Sequence, residues 1–287
     1  MNDNKPCVQI INLQLDLSGK PIYRNLNLQI QTGTLTALTG KNPAAWNILL
    51  RMIAGTQGIQ NGMIDLWGVP VNQIGRRGLS HLICYVPRLQ QPLFAYPVTE
   101  FIMQGCESRL KPMQAPQDSD RALADSIIRQ LKIEKLVHRD CSLLNKAERQ
   151  LVLLARALMQ DARLLMLDDP VSYLPEKEQY AVLSLLLDMT RRQDKTMVVA
   201  LDDPWLGLQL ADQMVVFDEQ NLAAILYRQQ PDFAAAAESV LHRVLPLDAE
   251  CHLLDAMPRP GSQTTVPAAA PVDAEIGKTP PKSGFLF

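Results

Sequence analysis

The chain has 287 residues, of which 47% are hydrophobic and 20% are charged, and its formal net charge is −2. This composition is sufficient for a full α/β core, and the near-neutral charge argues against a nucleic-acid partner, which needs a basic surface. Five scattered cysteines without metal-ligand spacing predict reduced thiols. No apolar run approaches the ~18 residues of a membrane span and no signal peptide is evident, so we expect a cytoplasmic protein that reaches a membrane only through a partner.

The N-terminal third of the chain predicts strands followed by a helix. Residues 8–31 alternate apolar and polar side chains about a central turn, which is typical of two antiparallel strands. Residues 35–38 predict a buried strand that leads into a loop at Gly40. The apolar residues after that loop have helical spacing, with Gly55 as the C-terminal cap. A further buried strand is predicted at 83–86.

The remainder of the chain predicts helices first and then alternating strands and helices. A helix capped by Asp118 or Ser119 is expected within the helical region from 98 to 140. The alternation that follows indicates a parallel sheet covered on both faces. Its predicted elements are helix 146–159, strand 164–167, helix 176–191, strand 197–201, a short helix at 204–211 and strand 214–217.

The loop at Gly40 has the outline of a phosphate-binding loop, G-x-x-x-x-G-K-[ST]. Gly40 keeps the first glycine, whereas Ala45 replaces the second, Trp46 the lysine and Asn47 the hydroxyl residue. In the intact loop, glycine lets backbone N–H groups surround phosphate oxygens, the lysine neutralises phosphate charge and the hydroxyl binds Mg²⁺. The sequence therefore keeps the frame of this loop and loses most of its chemistry.

Residues 8–250 resemble the ATP-binding subunit of ABC transporters. The stretch 151–158 followed by 164–170 resembles the helix after the signature motif and the Walker B strand of that family. Residues 85–87 resemble the strand that enters the Q-loop. The segment 96–105 is similar to importers for iron chelates, haem, cobalamin or metal ions.

The resemblance implies the α/β fold of an ABC ATPase. This fold has a P-loop NTPase-like core, an N-terminal antiparallel β layer and a helical subdomain, which we expect at about 98–150. The nucleotide-binding domain is expected to cover 1–257. Residues 258–287 contain six prolines and predict a disordered tail, whose last residues, 285–287, form either a docking peptide or a frayed end.

The resemblance also carries the functional positions of the family onto this sequence, and most of them hold a different residue type. The adenine-stacking aromatic falls at Leu17, the Q-loop glutamine at Arg88, the catalytic glutamate at Asp169, the D-loop aspartate at Pro175 and the switch histidine at Asp202. The signature L-S-G-G-Q falls at Leu144, Asn145, Lys146, Ala147 and Glu148. The residues that agree with the family are the Walker B aspartate, Asp168, and the loop residues Gly40 and Asn42.

These replacements have physical consequences for a bound phosphate. Pro43 removes a backbone donor, Ala45 resists the positive φ that glycine supplies, and Trp46 removes a cation. The loss of two hydrogen bonds to a charged group costs about 3–6 kcal/mol, or about 10²–10⁴ in affinity. Glu148 adds negative charge at a helix N-terminus that would otherwise attract an anion, and Lys146 partly offsets this charge.

We therefore predict a pseudo-ATPase that serves as a structural or regulatory partner of an iron-chelate or metal importer. No catalytic residue is expected to function, no cofactor is expected, and a metal is expected only if Asp168 holds Mg²⁺ with a nucleotide. Weak or absent nucleotide binding is assigned to Gly40, Asn42, Ala45, Trp46, Asn47 and Asp168. The expected partners are an ABC permease, a second ABC subunit or both, at the inner face of the membrane.

Several alternatives stay open at this point. One is an active or weakly active ATPase subunit that uses Mg-ATP to energise import, and another is an adaptor unrelated to transport. Trp46 either packs in the core or stacks on a ligand, and Asp168 with Asp169 forms either a Mg²⁺ site or a structural pair. Arg88 and Arg149 either bind an anion or are exposed or ion-paired. Asn145 and Glu148 predict a helix cap.

Overall fold

The structure is a computed structural model that describes residues 6–17, 19–88, 95–111, 113–193, 195–219 and 222–245. All of these residues fall in one compact unit, Met1–Asp248. The predicted tail at 258–287, with its three apolar end residues, and Cys251 lie outside the described residues. The other four cysteines, Cys7, Cys84, Cys106 and Cys141, are buried and free.

The described residues form ten strands and eight α-helices, joined by turns and four short 3₁₀ segments. The strands are β1 (Pro6–Leu17), β2 (Lys20–Gln31), β3 (Leu35–Gly40), β4 (Asn61–Leu66), β5 (Val69–Pro70), β6 (Ile83–Val86), β7 (Leu164–Asp168), β8 (Thr196–Ala200), β9 (Gln213–Phe217) and β10 (Leu222–Tyr227). The helices are α1 (Pro43–Ile53), α2 (Arg76–Leu82), α3 (Val98–Met103), α4 (Asp118–Gln130), α5 (Lys146–Met159), α6 (Glu176–Gln193), α7 (Pro204–Leu210) and α8 (Phe233–Val244).

The strands form two sheets, as the predicted fold class requires. The N-terminal sheet is antiparallel and has the order β2-β1-β4-β5. The central sheet has the order β10-β9-β3-β8-β7-β6, and all of its pairings are parallel except that of β10 with β9. The carboxyl ends of β3, β6, β7, β8 and β9 therefore lie along one edge of this sheet, which we call the carboxyl edge.

Burial explains why the central strands were predictable from sequence. Every residue of β7, β8 and β9 is buried, as expected for parallel strands whose two faces are both covered. The inner side chains of the N-terminal sheet join those of α1 and the central sheet in one hydrophobic cluster. The loop at Gly40 is thus held between two packed layers.

Most predicted elements are confirmed within a residue or two, and the cap of α4 is a correction. The predicted cap was Asp118 or Ser119, but Gln117 precedes the helix and its backbone N–H donates to Asp120 Oδ2 at 2.9 Å. Asp120 is buried, and Arg109 binds its other carboxylate oxygen at 3.1 Å, which offsets the cost of burying the charge. The inward pairing of Asp120 therefore sets the start of the helix.

Candidate functional site

The carboxyl edge brings together residues that are far apart in the sequence. Asp168 is the last residue of β7 and Asp169 follows it. Arg88 lies two residues beyond the end of β6, and Asp202 lies two residues beyond the end of β8. Since parallel strands place their carboxyl ends on the same side of a sheet, these side chains converge next to α1.

The Gly40 loop is tied to the end of β9 by its backbone. Gly40 has φ +139°, and a Cβ added to it would collide with the carbonyl of Phe217. The N–H of Lys41 donates to that same carbonyl at 3.1 Å, and the side-chain amide of Asn42 donates to the Glu219 carbonyl at 2.9 Å. Glycine is needed here because the two backbones are in direct contact.

The start of α1 offers fewer phosphate donors than an intact loop. The first turn of a helix leaves N–H groups without intrahelical carbonyls, and these are the groups that bind anions. Here Pro43 occupies the first turn without an N–H, and the N–H of Ala45 donates to the Asn42 carbonyl at 3.0 Å. These backbone contacts are consistent with a weakened set of phosphate donors, which stays a prediction.

Trp46 lies in the hydrophobic core. Its side chain is 2% exposed, and its ring centroid is 6.5 Å from that of Phe217. Phe217 also contacts Tyr23 at 6.2 Å, and the Tyr23 hydroxyl donates to the Ala45 carbonyl. Of the two alternatives for Trp46, the geometry favours packing over ligand stacking, since the indole has almost no exposed surface.

Asp168 and Asn47 contact each other where the family residues hold a metal ion. The amide nitrogen of Asn47 donates to Asp168 Oδ2 at 2.6 Å. Asp168 is 5% exposed, and burial raises its pKa, while the hydrogen bond from Asn47 opposes this effect. Asp168 therefore lies in the position expected for a Walker B aspartate and already has an internal hydrogen-bond donor.

Asp169 is held in an unusual backbone conformation by two neighbouring elements. Its φ is +52°, in the left-handed region that a residue with a side chain seldom adopts. Its N–H donates to the Ala200 carbonyl at 3.0 Å, and its own carbonyl accepts from Gln150 Nε2 at 2.8 Å. Gln150 also accepts the N–H of Tyr173 at 3.1 Å, so α5 fixes the loop that carries Asp169.

Arg88 links two carboxylates of the carboxyl edge. Its guanidinium binds Asp202 with two hydrogen bonds, of 2.6 and 3.2 Å. Its Nη2 atom lies 3.0 Å from Asp169 Oδ2, in an ion pair that lacks hydrogen-bond alignment. The Q-loop, catalytic and switch positions of the family are therefore joined by one internal cation. For Arg88 the ion-paired alternative is the observed one.

The pKa shifts agree with this arrangement. Burial first, and the charge of Asp202 second, raise the pKa of Asp169 to about 6, and Arg88 opposes both effects. The hydrogen bond to Asp202 raises the pKa of the Arg88 guanidinium, which stays charged. A buried carboxylate at this point in the fold thus depends on Arg88 as its main neighbouring cation.

The signature-like residues form a capped helix start whose charges have internal partners. Asn145 accepts the N–H of Glu148 at 2.9 Å, and Glu148 Oε2 accepts the N–H of Asn145 at the same distance, so the predicted cap is confirmed. The cation that binds Glu148 is Arg139, at 2.6 Å, and not Lys146. The ammonium of Lys146 instead lies 5.1 Å from the ring centroid of Tyr173.

Leu17 and Pro175, the remaining positions carried over from the family, lie outside the carboxylate cluster, as does Arg149. Leu17 is exposed at the end of β1, and the Pro175 carbonyl accepts the N–H of Glu178 at 2.8 Å at the start of α6. Arg149 is partly buried and donates to the Leu144 carbonyl at 3.0 Å. Among the described residues, no hydrogen bond or ion pair joins any of these three to the carboxylates of the cluster.

Four residues of structural importance to the site were missed by the sequence analysis: Tyr23, Arg139, Gln150 and Phe217. Each acts through a contact that joins separate elements. The spacing of neighbouring residues carries no signal for such contacts. A buried glutamine in an otherwise apolar helix face, as at Gln150, is the one sign that could have been used.

Comparison with known proteins identifies the family. The profile of the ABC transporter family matches residues 23–172. An ABC transporter ATP-binding protein of Haemophilus influenzae is 30% identical over 209 residues, which cover 73% of this chain and 79% of that protein. The chain therefore belongs to the ABC transporter family, as the resemblance indicated.

Other relatives and solved structures agree with this assignment. The hemin import ATP-binding protein HmuV of Shewanella denitrificans is 29% identical over 220 residues, covering 75% of this chain and 85% of that protein. A metal-chelate type ABC transporter in an inward-facing conformation matches with a TM-score of 0.66 and 24% identity, covering 78% of this chain and 84% of the other. A dimeric ATP-binding cassette bound to ADP and Pi matches with a TM-score of 0.67 and 17% identity, covering 78% and 99%. These two structures support the fold.

The expectation that the chain takes no cofactor is wrong. ABC ATPase domains bind ATP with Mg²⁺, and this chain belongs to that family. That expectation considered the lost side-chain charges and left out the remaining metal ligands and the backbone of the Gly40 loop. The carboxylate of Asp168 and the side-chain amide of Asn47, which contact each other, carry oxygen atoms of the kind that Mg²⁺ prefers as ligands, and the Gly40 loop keeps its close backbone contact with Phe217 at the end of β9. The residues present therefore fit the metal of a magnesium–nucleotide, with weak support for its phosphates.

Proposed function

We propose that this chain is an ATP-binding-cassette subunit of the importer type in which ATP hydrolysis is lost or very weak. Its role is that of a structural or regulatory partner of an importer for an iron chelate or a metal. The observation that carries the proposal is the ion-pair cluster of Arg88 with Asp169 and Asp202. A bound magnesium–nucleotide would supply both the phosphate and the metal ion that neutralises its charge. The side chains that would act on this phosphate belong to the cluster.

Hydrolysis needs a base that orients the attacking water and a group that stabilises charge on the transferred phosphate. Asp169 stands in the place of that base, but its carboxylate is paired with Arg88 at 3.0 Å and 3% of the residue is exposed. Asp202 stands in the place of the stabilising histidine and adds a negative charge instead. Asp169 is therefore not free to orient the attacking water, and Asp202 does not stabilise negative charge on the phosphate.

The signature-like segment adds a second deficit. A signature serine and glycines offer a hydroxyl and N–H groups to phosphate at a helix start, whereas here Glu148 uses one helix N–H for the cap and binds Arg139. A partner subunit that binds nucleotide against this segment would meet a carboxylate. The capped helix start and the altered contacts support a chain that retains its fold for assembly.

The importer class and the partner are proposed from the relatives. Those with similar sequences are named for the import of hemin, molybdate, cobalamin and iron chelates. Within the described ranges, none of the helices combines the length and the hydropathy that a bilayer-spanning segment requires. We propose association with an ABC permease, with a second ABC subunit or with both, at the inner face of the membrane. We also propose 1–257 as the folded domain, with a helical subdomain at about 98–150.

The hydrolysis proposal is tested by phosphate release from the purified chain with Mg-ATP. We expect a rate that does not differ between the wild type and Asp168→Ala, because a rate that survives loss of the Walker B carboxylate comes from a contaminant. An Asp212→Ala variant, changed at the opposite edge of the sheet, serves as the matched control. A wild-type rate that Asp168→Ala abolishes and Asp212→Ala preserves would refute the proposal and support the active-subunit alternative.

The partner proposal has its own test. The tagged chain is expressed in its native host, membranes are extracted in detergent, and an ABC permease and a second ABC subunit are sought among the proteins that copurify with the chain. Recovery of the permease with the chain is the expected result. Recovery of neither partner, from membranes in which both are detected, would favour the adaptor alternative.

A further inference from the structure

We propose that Arg88 is an internal counter-cation that takes the electrostatic place of a divalent metal at the carboxyl edge, so that its removal opens a Mg²⁺ site there. The proposal concerns the same cluster as the proposed function and rests on it for the identity of the site. It is tested with Mg²⁺ alone, so that its failure leaves the hydrolysis proposal standing.

Three carboxylates lie close together at the carboxyl edge. Asp168 and Asp169 lie at the end of β7 and Asp202 lies just beyond the end of the neighbouring parallel strand β8, close enough for their charges to interact. Asp168 and Asp169 are 5% and 3% exposed, so water provides little compensation for their charges. Buried carboxylates require a paired cation or a metal ion. An arrangement of this kind therefore needs positive charge from some source.

Arg88 provides the positive charge that these carboxylates need. Arg88 contacts both Asp169 and Asp202, and the Nη2 atom lies within 3.0 Å of an oxygen of each. A guanidinium presents several donors in a fixed plane and can bind two carboxylates at once. In this chain it therefore provides the bridge that a divalent ion provides between carboxylates elsewhere.

The Arg88 guanidinium does not satisfy every carboxylate oxygen of the cluster. Asp169 Oδ2 is buried and has no hydrogen bond among the described residues, although Arg88 Nη2 is 3.0 Å away. A metal ion has no such directional requirement for a donor hydrogen and would use this oxygen fully. Among the described residues, the cluster around Arg88 contains the three carboxylates and this one cation, so it also keeps an excess of negative charge. Removal of Arg88 increases that excess and leaves oxygen ligands free.

The test is the replacement Arg88→Gln, which removes the charge and leaves a shorter polar side chain. We expect titration calorimetry with MgCl₂, without nucleotide, to show at least about tenfold tighter binding than in the wild type. In the wild type, the repulsion between the unit charge of Arg88 and the double charge of Mg²⁺ ~5 Å away would weaken binding by about that factor, even at the dielectric constant of water. We also expect Mg²⁺ to raise the melting temperature of the variant above its value in EDTA, and to leave that of the wild type unchanged.

Three control variants define the interpretation. Arg88→Lys keeps a cation and should keep Mg²⁺ binding weak. Arg191→Gln makes the same chemical change at the amino-terminal edge of the sheet, where Arg191 lies 3.9 Å from Asp212, and should not create Mg²⁺ binding. The double variant Arg88→Gln with Asp169→Asn should lose the binding that the single variant gains, which locates the metal at the carboxyl edge.

Each outcome decides the proposal. A folded Arg88→Gln variant with the Mg²⁺ affinity of the wild type would overturn it, as would an equal gain in Arg191→Gln. If Arg88→Gln folds poorly in EDTA, rescue of its folding by Mg²⁺ supports the proposal, and failure of Mg²⁺ to rescue it counts against the proposal. Mg²⁺-dependent stabilisation of the wild type by as much as the variant would also refute it.

Discussion

The replacement of Trp46 by Lys, which restores the residue type of a phosphate-binding loop, is expected to destabilise the protein. Trp46 is 2% exposed and packs against Phe217 in the hydrophobic cluster of the two sheets. Removal of a buried tryptophan side chain costs about 3–5 kcal/mol, and the contact with a second aromatic ring contributes about 0.5–1.5 kcal/mol beyond its area. A lysine that follows the path of the indole would also bring a charge into this cluster.

Urea unfolding followed by circular dichroism measures this effect. Trp46→Ala is expected to lower the free energy of unfolding by about 3–5 kcal/mol, and Trp46→Lys by at least as much. Trp205→Ala serves as the control, because Trp205 is only partly buried on α7 and should cost about 1 kcal/mol. A cost below about 1 kcal/mol for Trp46→Ala would show that the indole does not stabilise the core and would refute the reasoning.

Four further changes have expected outcomes that the same unfolding assay or a melting curve can check. Tyr23→Phe removes the hydroxyl that donates to a buried carbonyl and should cost about 1–2 kcal/mol, so no loss would contradict that contact. Gln150→Leu removes the amide that binds the Asp169 loop and should cost about 1–3 kcal/mol, with faster amide exchange in that loop; unchanged exchange would refute it. Glu148→Gln breaks a partly exposed ion pair and should cost no more than about 1 kcal/mol, so a much larger loss would show that the pair is undervalued. Truncation after residue 257 should leave the melting temperature unchanged, and a clear decrease would reject 1–257 as the folded domain.

The elements that the sequence predicts well are those whose burial is uniform. The strands at the centre of the sheet are continuous apolar runs because both of their faces are covered, and they were found almost to the residue. The strands β4 and β10 were missed, and both are only partly buried. The helix α8 was missed as well, although its apolar residues recur on one face.

The composition of the site was predictable, whereas its contacts were not. Strand ends placed Asp168, Asp169 and Asp202 at one edge of the sheet, because parallel strands must end together. The pairing of Arg88 with Asp202 joins residues 114 positions apart, and local spacing carries no record of it. Similarly, Glu148 was expected to be offset by its neighbour on the helix, but the geometry of the preceding turn brings in Arg139.

The error about the cofactor has a physical cause as well. The expected loss of nucleotide binding was the sum of the free energies of the lost charged contacts, as if each contact acted alone on the nucleotide. Asp168 and Asn47 remain in contact through a hydrogen bond from the Asn47 amide nitrogen to the Asp168 carboxylate, and the Gly40 loop retains its close approach to β9. Loss of nucleotide binding and loss of hydrolysis are therefore separate claims. The ion pairs of Arg88 bear on hydrolysis.

The central claim is that Arg88, Asp169 and Asp202 form a charge cluster that does not catalyse hydrolysis. A single-turnover experiment tests it most directly, with the protein in large excess over labelled Mg-ATP and the products separated by chromatography. The account predicts that the labelled ATP is recovered intact after long incubation. Conversion to ADP in the wild type that is absent in Asp168→Ala would contradict it.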